Sequence, residues 1–141
     1  MNNTQSLEKR LIVDLLRFFS QDSEVQQRQL WDYLAIVAER KQQAHVDDPL
    51  VELATGLEVW ADRYKRWGSD KAAWPILDDI SALLEIILRN DQSETASIQS
   101  LQAARHWSIV RRFSREALAH LDYSVSTHHS SVWDMLAQVA P

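Results

Sequence analysis

The residues best suited to bind a metal ion lie near the C-terminus of this sequence. Glu116 and His120 are four residues apart, which places them on one face of a helix, and Asp122, His128 and His129 follow closely. Carboxylate and imidazole groups are common ligands of zinc and iron. A di-metal carboxylate bundle, however, repeats Glu and Glu-x-x-His over four helices, and this sequence lacks that spacing. The sequence therefore favours no metal and no cofactor, with a small metal-binding protein or enzyme as the alternative.

A nucleophilic enzyme is disfavoured by the composition. Ser130 and Ser131 follow two histidines, but a serine nucleophile needs a strained turn such as Gly-x-Ser-x-Gly, and the sequence contains no such motif. The chain has no cysteine, and its two glycines, Gly56 and Gly68, cannot build a phosphate-binding loop. We therefore expect Ser131 to cap a helix, and we expect a protein without catalytic residues.

Four arginines form the main basic group of the sequence. They lie within eleven consecutive residues and are spaced so that pairs of them share a helical face: Arg105, Arg111, Arg112 and Arg115. The net charge of the chain is -5, and nucleic-acid binding needs a concentrated basic surface. A nucleic-acid-associated regulator is thus a second alternative. The preferred interpretation is that these arginines pair with the acidic middle of the same chain, residues 47–94.

The middle of the chain is acidic and rich in aromatic residues. Residues 47–94 contain eleven acidic and five basic residues. Trp60 and Trp107 are predicted to lie in the core, whereas a surface for a partner protein is predicted to contain Tyr64, Trp67, Trp74, Asp78 and Asp79. Because acidic patches attract basic partners, the leading hypothesis is a non-catalytic protein-binding domain. An inhibitor of the immunity or antitoxin type and a regulatory adaptor are two forms of it, and pairing of two copies is left open.

The small number of glycines predicts few tight turns, and therefore long helices. Apolar residues recur at helical spacing throughout, which predicts an all-α compact bundle of about five to six helices in a single domain, residues 1–141. The predicted helices cover residues 6–20, 23–43, 49–67, 75–89 and 93–122, with a short final helix from residue 131. The fifth is too long for so small a domain, so a break is expected near Ser100 or Ser108.

Two helix starts carry particular signals. Asp48 followed by Pro49 predicts a capping carboxylate and then a proline in the first turn. Ser23 and Gln26 have the spacing of a capping box. The start of the chain lacks a basic segment that leads into an apolar one, and no later segment is uniformly apolar, so a cytoplasmic protein without membrane contact is expected.

Overall fold

In the computed structural model of this protein, the described segments are almost entirely helical. The structure describes residues 3–40, 48–67, 71–89, 97–121 and 132–139. These residues contain no β-strand, so the predicted all-α bundle is confirmed. The elements are α1 (Asn3–Ser20), α2 (Ser23–Arg40), α3 (Pro49–Trp67), a 3-10 turn (Lys71–Ala73), α4 (Trp74–Arg89), α5 (Ser100–Ala103), α6 (Arg105–His120) and α7 (Val132–Val139).

The start of α3 is capped as the sequence predicts. The backbone N–H of Val51 donates a hydrogen bond to Oδ1 of Asp48 at 3.2 Å, which satisfies one of the amides that has no partner inside the helix. Pro49, the first residue of α3, has no N–H to satisfy. Sequence alone therefore located this boundary correctly.

The start of α4 differs by one residue from the prediction. The sequence predicted a regular helix from Pro75, but α4 begins at Trp74, directly after the 3-10 turn. Pro75 is compatible with this position because amides in the first helical turn need no intrahelical acceptor. The residue before a proline prefers non-helical geometry, but this is a preference rather than a rule. Here Trp74, which directly follows the 3-10 turn, is helical.

The capping box predicted for α2 is replaced by a tertiary contact. Gln26 is completely buried, and its side-chain Nε2 donates to the carbonyl oxygen of Phe18 at 3.0 Å. Its backbone N–H donates to the carbonyl of Asp22 at 3.0 Å. The side chain of Gln26 thus joins α2 to the end of α1 rather than closing the first turn of its own helix.

The long fifth helix is broken, as expected, but at Ala104. This residue has extended backbone angles, φ -87° and ψ 127°, and its N–H donates to the carbonyl of Ser100 at 2.8 Å. The indole Nε1 of Trp107 donates to Oγ of Ser100 at 3.0 Å across the break. The described part of the segment therefore forms α5 and α6, and the predicted residues 93–96 and 122 lie outside the described residues.

Four helices surround the centre of the bundle. Helix α1 contacts α3 and α6, and α4 contacts the same two helices, so the four close into a ring. Over residues 11–20, helix α1 is buried over most of its circumference. It contributes Phe18 and Phe19 to the core, and the ring of Phe19 stacks on Trp107 with centroids 5.8 Å apart. Trp107 is confirmed as a core residue, and Trp60 is half-buried against the core. Helix α2 contacts α5 and α7 outside the ring.

Candidate functional site: two charged surfaces

The predicted metal-binding residues are only partly within the described structure. Glu116 and His120 lie exposed on α6, while Asp122, His128 and His129 lie outside the described residues. Over the part of the chain that the structure describes, no group of three or more His, Cys, Asp or Glu residues is arranged to hold a metal ion. Glu116 and His120 therefore lie one helical turn apart on an exposed face of α6, and no third such side chain joins them among the described residues.

Two of the four predicted arginines hold the bundle together. Nε of Arg111 donates to Oε1 of the buried Gln26 at 3.0 Å, and its Nη2 donates to the carbonyl of Leu101. Nε of Arg115 donates to the carbonyl of Ser20 at 2.9 Å, and its Nη2 contacts Oδ1 of Asp22 at 3.2 Å. These bonds connect α6 to the junction between α1 and α2. We call the five residues Ser20, Asp22, Gln26, Arg111 and Arg115 the arginine clamp.

The electrostatics of the clamp follow from its partial burial. Burial lowers the pKa of Arg111, the positive charge of Arg115 lowers it further, and Asp22 opposes this change. The clamp also corrects the expectation that the arginines pair with the acidic middle of the chain. Arg115 pairs instead with Asp22, at the start of α2, because α6 packs beside α1 with its arginines toward the α1–α2 junction.

The outer side of the clamp is an open groove of about 460 Å³. Its lining mixes three arginines with carboxylates and hydroxyls: Asp22, Ser23, Glu24, Ser108, Arg111, Arg112 and Arg115. Arg112 is exposed and its guanidinium lies 5.3 Å from the ring centroid of Phe113. Because carboxylates share the groove with the arginines, its charge is mixed rather than uniformly basic.

The predicted partner-binding residues divide between surface and core. Asp78 and Asp79 are exposed on α4, and Trp74 is half-buried at the start of that helix. Tyr64 is only 4% exposed and belongs to the hydrophobic core, because its position on α3 continues the apolar stripe that faces the ring of helices. The backbone of Trp67 ends α3, and its side chain lies outside the described residues.

Trp74 lies near one cationic side chain and has one enclosed polar atom. The Nζ of Lys71 lies 5.9 Å from the ring centroid of Trp74, a cation–π arrangement. The indole Nε1 is enclosed, and no hydrogen-bond acceptor for it occurs among the described residues. The ring therefore contributes partly to packing and partly to the surface beside Asp78.

The structure extends this surface along α3 and α4 with residues that the sequence did not identify. Ile86 on α4 is 59% exposed and Val59 on α3 is 44% exposed. One side of α4 contains five residues: Asp78, Asp79, Ala82, Glu85 and Ile86. All of them are exposed except Glu85, which is half-buried. The α3–α4 face is defined here by its acidic and apolar members: Glu58, Val59, Asp62, Asp78, Asp79, Glu85 and Ile86.

The carboxylates of Glu58 and Glu85 interact across the two helices of this face. Partial burial raises the pKa of Glu58, the charge of Glu85 raises it further, and Arg89 lowers it. Arg89 itself pairs with Glu85 at 2.6 Å, and Oγ of Ser81 donates to the backbone carbonyl of Glu58 at 3.5 Å. The face therefore has an excess of negative charge that its neighbouring arginine only partly offsets.

A sequence signal for this face was available. Ile86 departs from the apolar stripe of α4, which consists of Ile76, Ile80, Leu83, Leu84 and Ile87. An isoleucine outside the stripe of an amphipathic helix lies on its solvent side. Glu58 had no comparable signal, because its proximity to Glu85 depends on how α3 and α4 pack.

None of the described helices combines the length and the apolar character that crossing a bilayer requires. This chain matches no known family, no curated protein and no solved structure.

Proposed function

We propose that this chain is a non-catalytic binding protein whose α3–α4 face receives a basic, partly apolar segment of another protein. The observation that carries the proposal is Ile86, a large apolar side chain 59% exposed on the side of α4 that also contains Asp78, Asp79 and Glu85. An apolar side chain on the same helical side as three carboxylates suits a partner that presents an apolar residue together with lysines or arginines.

The charges of the face support a basic partner rather than a neutral one. Asp78 and Asp79 lie exposed near the start of α4, and Glu58 is held close to Glu85 in a partly desolvated position. A cationic side chain placed between Glu58 and Glu85 would relieve their repulsion and lower the pKa of Glu58. Binding of a basic partner is thus coupled to loss of a proton from Glu58, and it strengthens as the pH rises above the ordinary glutamate value of 4.5.

An inhibitor of the immunity or antitoxin type would use such a face to cover a cationic toxin, and a regulatory adaptor would use it to recruit a basic segment. Both forms need the same three properties of the surface, namely negative charge, an apolar anchor and a rigid helical support. The support here is the α3–α4 pair, which belongs to the central ring of the bundle.

The proposal is tested by charge reversal on α4. The partner is identified by co-purification from the native host. Its affinity is then measured for the wild-type protein, for the single variant Asp79→Lys and for the double variant Asp78→Lys/Asp79→Lys. Because both carboxylates are exposed, the variant should lose at least about tenfold in affinity at low salt, and circular dichroism of the same preparation checks that its fold is retained.

Glu116→Lys provides the matched control, because it makes the same charge change as Asp79→Lys at an exposed helical position of α6. Its affinity should fall by less than about twofold, through net charge alone. Equal losses in Asp79→Lys and Glu116→Lys would show that the α3–α4 face has no specific role. An unchanged affinity in the double variant at low salt would contradict the proposal.

A further inference from the structure

The groove on the outer side of the arginine clamp has the size of a small-molecule site. Its volume is about 460 Å³, and such sites usually measure roughly 300–1,000 Å³. One wall is α6, which contributes three arginines and Ser108, and the other is the α1–α2 junction, which contributes Asp22, Ser23 and Glu24. We call this cavity the clamp groove. Every described residue that lines it is polar or charged, so a ligand that fits it is small and polar.

The positive charge of the clamp groove is only partly neutralised within the protein. Asp22 pairs with Arg115 at 3.2 Å. Arg111 donates instead to neutral oxygens, namely Oε1 of Gln26 and the carbonyl of Leu101. Burial and the charge of Arg115 destabilise the charged form of Arg111, and Asp22 offsets only part of this effect, so the pKa of Arg111 is lowered. An anion placed beside Arg111 would relieve this cost.

Arg112 provides the second guanidinium group without a carboxylate partner. It is exposed, and within the described residues its guanidinium lies 5.3 Å from the ring centroid of Phe113 and has no hydrogen-bond acceptor. A guanidinium presents its N–H donors in a planar fork that matches two oxygens of an oxyanion. Arg111 and Arg112 line the same groove, so the donors of both side chains are available to one ligand there.

We propose that the clamp groove binds the phosphate group of a small molecule between the guanidinium groups of Arg111 and Arg112. A phosphate group carries roughly two negative charges near neutral pH, which matches the two guanidinium groups that lack a carboxylate partner in the described part of the chain. The hydroxyl of Ser23, which also lines the groove, adds a neutral donor. This site is separate from the α3–α4 face and does not depend on the function proposed for that face.

The carboxylates near the clamp groove favour a small ligand over a nucleic acid. Glu24 lines the groove without a cationic partner among the described residues, and Glu116 is exposed further along α6. These charges repel a chain of phosphates that extends beyond the groove. A single phosphate group contacts the arginines without extending along this acidic surface.

Nuclear magnetic resonance of the isotope-labelled full chain, titrated with inorganic phosphate, tests the site. Ionic strength is kept constant with sodium chloride, so that the general screening of charges does not change. The backbone amides of Ser23, Glu24, Ser108 and Arg112 should shift and saturate in the low millimolar range, because a few charge-assisted hydrogen bonds to a free ion give modest affinity. Shifts that do not saturate, or that spread equally over exposed arginines outside the groove, overturn the proposal.

Substitutions at exposed positions separate this site from a general effect of charge. Arg112→Gln should weaken phosphate binding at least about tenfold, because it removes a bidentate donor. Arg105→Gln is the matched control: it removes the same charge from an exposed position of α6 outside the groove, and should weaken binding less than about twofold. Glu24→Gln should strengthen binding about threefold, because it removes a charge that repels the anion. Circular dichroism checks the fold of each variant. Equal losses in the two arginine variants, or weaker binding by Glu24→Gln, contradict the proposal.

A short single-stranded oligonucleotide tests the assignment to a small ligand. It is compared with inorganic phosphate at an equal concentration of phosphate groups. The oligonucleotide should bind no more tightly, because each phosphate in its backbone carries a single negative charge and the chain meets the carboxylates around the groove. Tighter binding of the oligonucleotide, with a steep loss of affinity as salt increases, would assign the groove to a nucleic-acid surface and overturn the proposal.

Discussion

The arginine clamp and the α3–α4 face are both charged, but the structure uses their charges differently. In the clamp, Arg111 and Arg115 donate to side-chain and backbone oxygens of the α1–α2 junction. On the α3–α4 face, Asp78 and Asp79 are exposed, and Ile86 is exposed on the same side of α4, about two helical turns away. The comparison shows that the charge of a segment does not reveal its role: the clamp arginines bond to acceptors of other helices, whereas Asp79 lies exposed on the same side of α4 as the exposed Ile86.

The largest effect on stability is expected from Arg111→Ala. This change leaves Oε1 of the fully buried Gln26 and the carbonyl of Leu101 without their donor. Loss of a charged donor to buried acceptors costs about 2 kcal/mol or more of unfolding free energy. Urea unfolding followed by circular dichroism measures the loss. A variant as stable as the wild type would show that Arg111 does not hold the α1–α2 junction.

A smaller loss, of about 1 kcal/mol, is expected for Arg115→Ala. The ion pair of Arg115 with Asp22 is largely solvent-exposed, with 49% and 82% of the two side chains accessible, so most of the effect comes from the bond to the carbonyl of Ser20. Arg112→Ala is the control within the same helix, because Arg112 is exposed. If Arg112→Ala destabilises the protein as much as Arg115→Ala, the distinction between clamp arginines and surface arginines is wrong.

On the α3–α4 face, Glu58→Gln should make the protein slightly more stable at neutral pH. The pKa of Glu58 in the folded protein is raised, so the folded state retains this proton after the unfolded chain has lost it, and stability falls as the pH rises above 4.5. Glutamine has no ionisable group, so the variant does not lose stability in this way. The difference between the urea midpoints of the wild type and of Glu58→Gln should therefore be smaller below pH 4.5 than at pH 7. A variant less stable than the wild type at pH 7 would contradict the origin assigned to the pKa change.

The smallest effect on stability is expected for Ile86→Gln, within about 0.5 kcal/mol of the wild type, because the side chain is mostly exposed. Binding of the partner should nevertheless fall, since the apolar anchor of the face is lost. Thermal unfolding and the affinity measurement are made on the same preparation. A large loss of stability would mean that Ile86 belongs to the core, and an unchanged affinity would remove it from the binding surface.

The fold was predictable because local signals determine most of it. Helical spacing of apolar residues located the helices, and Asp48 with Pro49 located the start of α3. The break in the long C-terminal segment was expected near a serine but lies at Ala104, since the contact that stabilises it joins Trp107 to Ser100. A helix boundary that depends on a contact between two helices is thus harder to predict from the sequence than a boundary set by a capping residue.

The candidate sites were less predictable, because they depend on how helices pack. The sequence assigned Asp78 and Asp79 to a surface, and both are exposed, but it placed Tyr64 on that surface although the ring is buried. Gln26 looked like a capping residue and instead accepts from Arg111, 85 positions away along the chain. A contact between two residues so far apart along the chain produces no periodic pattern in a single sequence, so it could not be predicted.

The central claim, that the α3–α4 face binds basic apolar segments, is tested most directly by nuclear magnetic resonance. A synthetic helical peptide of lysine and leucine is titrated into the isotope-labelled full chain, and backbone amide shifts are followed. The account predicts saturable shifts at Asp62, Asp79 and Ile86, with little change around Arg111. Shifts confined to the arginine clamp or to α2, or shifts spread evenly over all exposed carboxylates, would contradict it.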